Sequence, residues 1–157
     1  MKRLKLIIMD NNLKFRQRLV FLINVEQSIE VIGSVSTGEE LIEFLASHQP
    51  DVLLIDVDIP QLKGIHVVRK AMKLFPVLKI FAFTMFREDN YIINLIKAGV
   101  KGFILKSSAI YELDKDIHSL LTVENYCINN QVLNILNNSK ATNFIYAKNV
   151  NIKEFQP

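Results

Sequence analysis

The sequence predicts an α/β fold, a doubly wound parallel sheet of five strands with helices on both faces. Three observations carry this. Five short apolar runs recur along the first 105 residues. Each is followed by a stretch with helical periodicity, so strand and helix alternate five times in about 121 residues. Three of the runs, LKLIIM, VLLI and KIFAF, are almost continuously apolar, the pattern of strands covered on both faces.

The elements follow in order. A first strand is expected over Leu4–Met9, then asparagines that can cap a helix with Phe15, Leu19, Leu22 and Ile23 on its apolar side. A second strand is expected over Ile29–Val35. Thr37 and Glu40 stand at capping-box spacing before Leu41, Phe44 and Leu45. The third strand, Val52–Ile55, precedes a helix marked by Val67, Val68, Ala71 and Leu74. A fourth strand, Val77–Phe83, leads to Tyr91, Ile92, Leu95 and Ile96, a helix that Gly99 would terminate. The fifth strand, Gly102–Leu105, is followed by Ile110, Leu113, Ile117, Leu120 and Leu121.

Composition narrows the function classes. Hydrophobic residues make up 50% of the 157 residues and charged residues 22%, enough apolar side chain for a core and too much for a disordered chain. The single cysteine, Cys127, excludes an internal disulfide framework and a cysteine-rich zinc site, and fits a reducing compartment. His48, His66 and His118 are isolated and lack metal-ligand spacing. The net charge of +3 comes from scattered basic residues and does not point to nucleic acid. No secretory signal or membrane-length apolar run is present, so the chain is read as cytoplasmic.

A compositional break follows residue 121. All five glycines precede residue 103, while nine of the fourteen asparagines lie between Asn125 and Asn151. Residues 1–121 are therefore expected to form the domain and 122–157 a linker or tail, with one short helix around Val132, Leu133, Ile135 and Leu136.

Functional groups of an open parallel sheet gather at the carboxyl ends of its strands. After the first strand come Asp10, Asn11 and Asn12; the third ends in Asp56, the fourth in Thr84 and the fifth in Lys106. A sheet order that sets these four strands side by side would bring the groups into one crevice. Two carboxylates there would repel, and magnesium, which takes few protein oxygens, would relieve the repulsion. A hydroxyl and an ammonium suit phosphoryl oxygens. The set reads as a phosphoryl-transfer site with Asp56 as acceptor.

These residues resemble the receiver domain of two-component response regulators, of the LuxR/NarL type. The matching text is LIIMDN, PDVLLIDVDIPQLKG, FAFT and KGFILK, and the likeness covers roughly residues 3 to 121. The resemblance implies a CheY-like, flavodoxin-like sheet of order 2-1-3-4-5. It implies that Asp56 accepts a phosphoryl group from a sensor histidine kinase. Asp10, Asn11, Asp56 and the backbone carbonyl of Asp58 would hold Mg2+; the Asp58 side chain is expected to face solvent. Thr84 would hydrogen-bond the phosphoryl group and Lys106 pair with it. Phe103 matches the aromatic switch residue, whose burial follows movement of Thr84. Pro60 and Gly64 would shape the loop after the acceptor. Such a domain is a phosphoacceptor rather than a turnover enzyme.

Three departures from the family pattern stand out. Asn11 replaces a usual acidic residue, which removes one charge from the metal site. Met85, with Phe86 beside it, stands where a small residue is usual and is expected to restrict access and prolong the phosphoryl group's life. Ser107 follows Lys106 where proline is frequent, so a trans bond is expected there. Asn11 also supports an alternative, a pseudo-receiver that signals through protein contacts without phosphate. A haloacid-dehalogenase-type phosphatase, suggested by Asp56-Val57-Asp58, is disfavoured by the position of the pair and by Pro60. In the family, contacts form through the fourth helix, fifth strand and fifth helix, or through the first and fifth helices, giving a possible homodimer. DNA would be bound only through an output domain that this chain lacks, since residues 122–157 hold three basic and two acidic side chains and no two-helix pattern. A truncated regulator is favoured over a stand-alone receiver.

Overall fold

The computed structural model describes residues 2–25, 27–59, 63–85, 89–106, 113–121, 127–128 and 153–154. Strands and helices alternate as β1 (Leu4–Met9), α1 (Leu13–Val25), β2 (Ile29–Val35), α2 (Gly38–Ser47), β3 (Val52–Asp56), α3 (Lys63–Leu74), β4 (Lys79–Thr84), α4 (Asp89–Ala98), β5 (Gly102–Leu105) and α5 (Leu113–Leu121). Two further strands of two residues each follow, β6 (Cys127–Ile128) and β7 (Lys153–Glu154). The strand pairings among the described residues are parallel, in the order β2-β1-β3-β4-β5-β6-β7. The five-strand order 2-1-3-4-5 thus holds, and β6 and β7 extend the β5 edge. Two-residue strands carry no periodicity, so neither was foreseeable from the sequence. The helix expected around Val132 lies outside the described residues, as does Ile110.

Local chemistry explains the boundaries. The side chain of Asn12 accepts from the N–H of Phe15 at 3.0 Å and caps α1. Thr37 accepts from the N–H of Glu40 at 3.2 Å, while the Glu40 carboxylate reaches back to the Ser36 N–H at 2.7 Å, one residue earlier than a simple capping box. Gly99, at φ +114°, ends α4: its N–H donates to the Ile96 carbonyl, and that of Val100 to the Leu95 carbonyl, the paired bonds of a Schellman turn.

The start of β4 and the buried face of α3 differ from expectation. β4 begins at Lys79 rather than Val77, because Pro76 and Val77 occupy the centre of a turn closed by a Leu78 N–H bond to the Phe75 carbonyl. Val77 is 92% exposed. On α3 the buried stripe is Gly64, Ile65, Val68 and Ala71. It continues to Met72 and Phe75, which pack on the core and leave Leu74 facing out.

Strand pleating divides the interior into two cores. Ile7, Met9, Leu53, Ile55, Ile80, Ala82 and Phe103 face α2, α3 and α4. Leu6, Ile8, Val52, Leu54, Phe81, Phe83 and Ile104 face α1 and α5. Among the described residues no helix is long and apolar enough to cross a membrane.

Candidate functional site

The strand order makes β1, β3, β4 and β5 consecutive neighbours, so the residues that end them share one rim. Register fixes their heights: Met9 pairs with Ile55, Asp56 with Phe83, and Thr84 with Leu105. Backbone bonds carry the ladders past the strand ends. The Val57 N–H donates to Phe83 and the Lys106 N–H to Thr84. The sequence-predicted Asp10, Asp56, Thr84 and Lys106 are thereby brought together.

Three charges lie close in this rim. Lys106 Nζ is 2.8 Å from Asp56 Oδ2 and 3.5 Å from Asp10 Oδ2. Asp10 is 1% exposed, Asp56 6%, and the Lys106 side chain 15%. Burial holds the Asp56 carboxyl above its usual range, and the charge of Asp10 adds to that. Bonds from Lys106 and from the Asp58 N–H, at 2.9 Å, act in the opposite direction without cancelling it.

The ammonium has an apolar housing that the sequence reading did not single out. Its Nζ lies 5.2 Å from the ring centre of Phe15 and 5.6 Å from that of Phe83. The two rings stack at 5.7 Å. Such faces attract a cation that has left water. Both phenylalanines were legible as core positions, but nothing in the sequence showed that they converge on a lysine. Arg16 was also missed. It is buried on α1 and donates through Nη1 to the Asp10 carbonyl, and its Nε is buried without a hydrogen-bond partner. This bond ties α1 to the residue that begins the site.

Asp58 corrects an expectation. Its side chain is half-buried and held, not free in solvent: it accepts from Thr84 Oγ1 at 2.8 Å and from the Met85 N–H at 2.6 Å. The register that sets the end of β4 beside the end of β3 creates this contact, and spacing along the chain does not reveal it. Met85 follows on the same edge. It is 61% exposed, and its backbone N–H is the part bonded to Asp58. Phe86, Ser107 and Pro60 lie outside the described residues.

The remaining residues take clear places. Asn11 is exposed. Phe103 is buried in the core shared with α4. A Cβ on Gly64 would come within 2.8 Å of the Val57 carbonyl oxygen and 3.2 Å of the Tyr91 hydroxyl, so glycine lets α3 approach the segment after Asp56. That hydroxyl donates to the same carbonyl and docks α4 there.

The donor set fits a magnesium ion of limited protein coordination. Asp10 Oδ2 is buried with no hydrogen bond and only the Lys106 ammonium near it, at 3.5 Å, so it has room for a closer cation. Among the described residues no three His, Cys, Asp or Glu side chains form a metal-holding group. Two carboxylates, a carbonyl and water suit Mg2+ better than an all-protein cage does.

Comparison with known proteins places this geometry. The response regulator receiver domain family matches residues 6–118. The oxygen regulatory protein NreC of Staphylococcus epidermidis is 30% identical over 124 residues, covering 78% of this chain and 57% of NreC. The chain thus spans little more than half of that relative's length. Among solved structures, the isolated receiver domain of RcsB from Salmonella enterica serovar Typhimurium, in the presence of the phosphomimetic BeF3−, aligns with a TM-score of 0.74 at 20% identity, covering 85% of this chain and 99% of that one. The signal receiver domain of NarL from Mycobacterium tuberculosis aligns with a TM-score of 0.70 at 22% identity, covering 78% and 98%. At these identities the two structures support the fold.

Proposed function

Because the chain belongs to the response regulator receiver domain family, we propose that Asp56 accepts a phosphoryl group from a histidine kinase and so switches a partner or output domain. One observation carries the reading: the half-buried Lys106 ammonium lies within 3.5 Å of both carboxylates at the strand ends.

The chemistry follows from these groups. An Asp56 carboxylate oxygen attacks the phosphorus of a phosphohistidine. The new P–O bond forms as the P–N bond breaks, and the imidazole leaves. Burial makes the Asp56 carboxylate more basic, hence a stronger nucleophile once ionised. Lys106, now paired with Asp56, moves its charge onto the phosphoryl oxygens. Asp10, Asp56 and the Asp58 carbonyl would hold Mg2+, with Asn11 as a weaker neighbour; bound there, the cation supplies charge for the transferring oxygens. Thr84 would donate its hydroxyl to the phosphoryl group, and its departure from Asp58 would be felt by Phe103 on the same face of the sheet. A contact between two copies is favoured through α1 and α5, because Leu13, Phe21 and Val25 leave α1 with exposed apolar side chains.

The test is intact mass after incubation with acetyl phosphate and magnesium. Wild type is expected to gain one phosphoryl group and Asp56→Ala none. Absence of any gain at high magnesium would favour the pseudo-receiver, which Asn11 already supports.

A further inference from the structure

We propose that the Asp58 carboxylate is an internal competitor for the hydrogen-bond donors that a phosphoryl group on Asp56 needs. The inference rests on Asp56 being the phosphoacceptor.

Asp58 touches the site twice. Its N–H donates to Asp56 Oδ1 at 2.9 Å, so its backbone is fixed to the acceptor. Its two side-chain oxygens take a hydrogen bond each from the end of β4 and the residue after it: the Thr84 hydroxyl on Oδ1 and the Met85 N–H on Oδ2. These donors come from adjacent residues and converge on one anionic group. Charge-assisted bonds of this length are the strong ones. In the unphosphorylated protein the carboxyl end of β4 is therefore already held by a carboxylate.

A phosphoryl group on Asp56 would bring more charge and three acceptor oxygens to the same end of the sheet. Thr84 and Met85 cannot serve both anions at full strength. The new charge also repels Asp58, whose side chain is only half-buried and has solvent within reach. The switch is thus an exchange: two donors pass from Asp58 to the phosphoryl group, and the Asp58 carboxylate turns outward. No covalent bond changes in this step. The resting latch slows phosphorylation, because its bonds must break first, and it holds β4 near its engaged position before any phosphoryl group arrives.

The experiment follows phosphoryl incorporation by intact mass, with acetyl phosphate and magnesium, in wild type, Asp58→Ala and Asp58→Asn. Amide exchange at Met85 is read by NMR in the same proteins, and melting curves establish that each is folded. Asp58→Ala is expected to incorporate about tenfold faster, the effect of removing one strong bond from the barrier. Its Met85 amide is expected to exchange faster. Asp58→Asn, which keeps an acceptor but no charge, should fall between. Equal or slower incorporation in both variants overturns the competition while leaving Asp56 as acceptor. No incorporation in any of the three proteins overturns the acceptor assignment and the exchange with it; faster Met85 exchange in Asp58→Ala would then record only the contact.

Discussion

Replacing Lys106 with methionine removes one charge and keeps an unbranched apolar side chain beside Phe15 and Phe83. The structure indicates how much that charge matters. Among the described residues it is the cation that faces two carboxylates only 1% and 6% exposed. Breaking a buried ion pair from one side typically costs about 3–5 kcal/mol, since the other charge stays behind. Lys106 retains some solvent contact, so the lower end, about 3 kcal/mol, applies here. For a chain of this size that corresponds to a melting-point loss of roughly 6–12 °C.

The pH dependence gives the estimate its direction. The folded-state Asp56 carboxyl lies above its usual value of 3.8. Below that value it is neutral in both folded and unfolded chains, and loss of Lys106 leaves no charge on Asp56 uncompensated. As pH rises, the unfolded chain ionises first, and the folded chain must then carry the buried charge without its partner. The penalty in Lys106→Met is therefore largest near neutrality and shrinks on acidification. Millimolar magnesium should also shrink it, because the cation compensates the same oxygens. Thermal melts of both proteins at neutral and acidic pH, with and without magnesium, provide the assay. A variant that melts with wild type at neutral pH, or a penalty that grows on acidification, would refute the argument.

Three other outcomes are expected. Asn11→Asp adds a third carboxylate at the cation site and should tighten magnesium binding several-fold in a titration; an unchanged curve counts against Asn11 as a neighbour of the metal. Asp56→Asn removes the buried charge and should melt above wild type at neutral pH, with the gain vanishing as pH falls below the carboxylate range. Gly64→Ala drives a methyl group against the Val57 carbonyl and should lose about 1–3 kcal/mol in chemical denaturation, an overpacking effect; Gly38→Ala, which meets only the Val67 side chain, should lose less.

Much of the fold was legible because β1, β3 and β4 are buried on both faces over most of their length, so apolar runs such as VLLI mark them. The site was legible wherever it consisted of strand-end residues: Asp10, Asp56, Thr84 and Lys106 need only the strand order to meet. Side-chain direction beyond the strand ends was not legible. Asp58 looks like a solvent residue in sequence, and only the neighbouring end of β4 supplies the donors that turn it inward. Phe15 and Phe83 lie 68 positions apart, and their convergence on Lys106 depends on how α1 packs against β4. Val77 misled for a local reason: it is β-branched and apolar, yet Pro76 places it in a turn.

The alternation of side chains across the sheet has one more effect. Asp10, Asp56 and Lys106 share the parity of the core beneath α1 and α5, whereas Thr84 and Phe103 share that of the core beneath α2, α3 and α4. The sheet is therefore a partition as well as a scaffold. A chemical event among the charged groups is written on one side of it. It can be read on the other only where the rim is crossed, and Asp58, bonded to Asp56 through its backbone and to Thr84 through its carboxylate, makes such a crossing. One aspartate thus couples two layers that the backbone otherwise keeps apart.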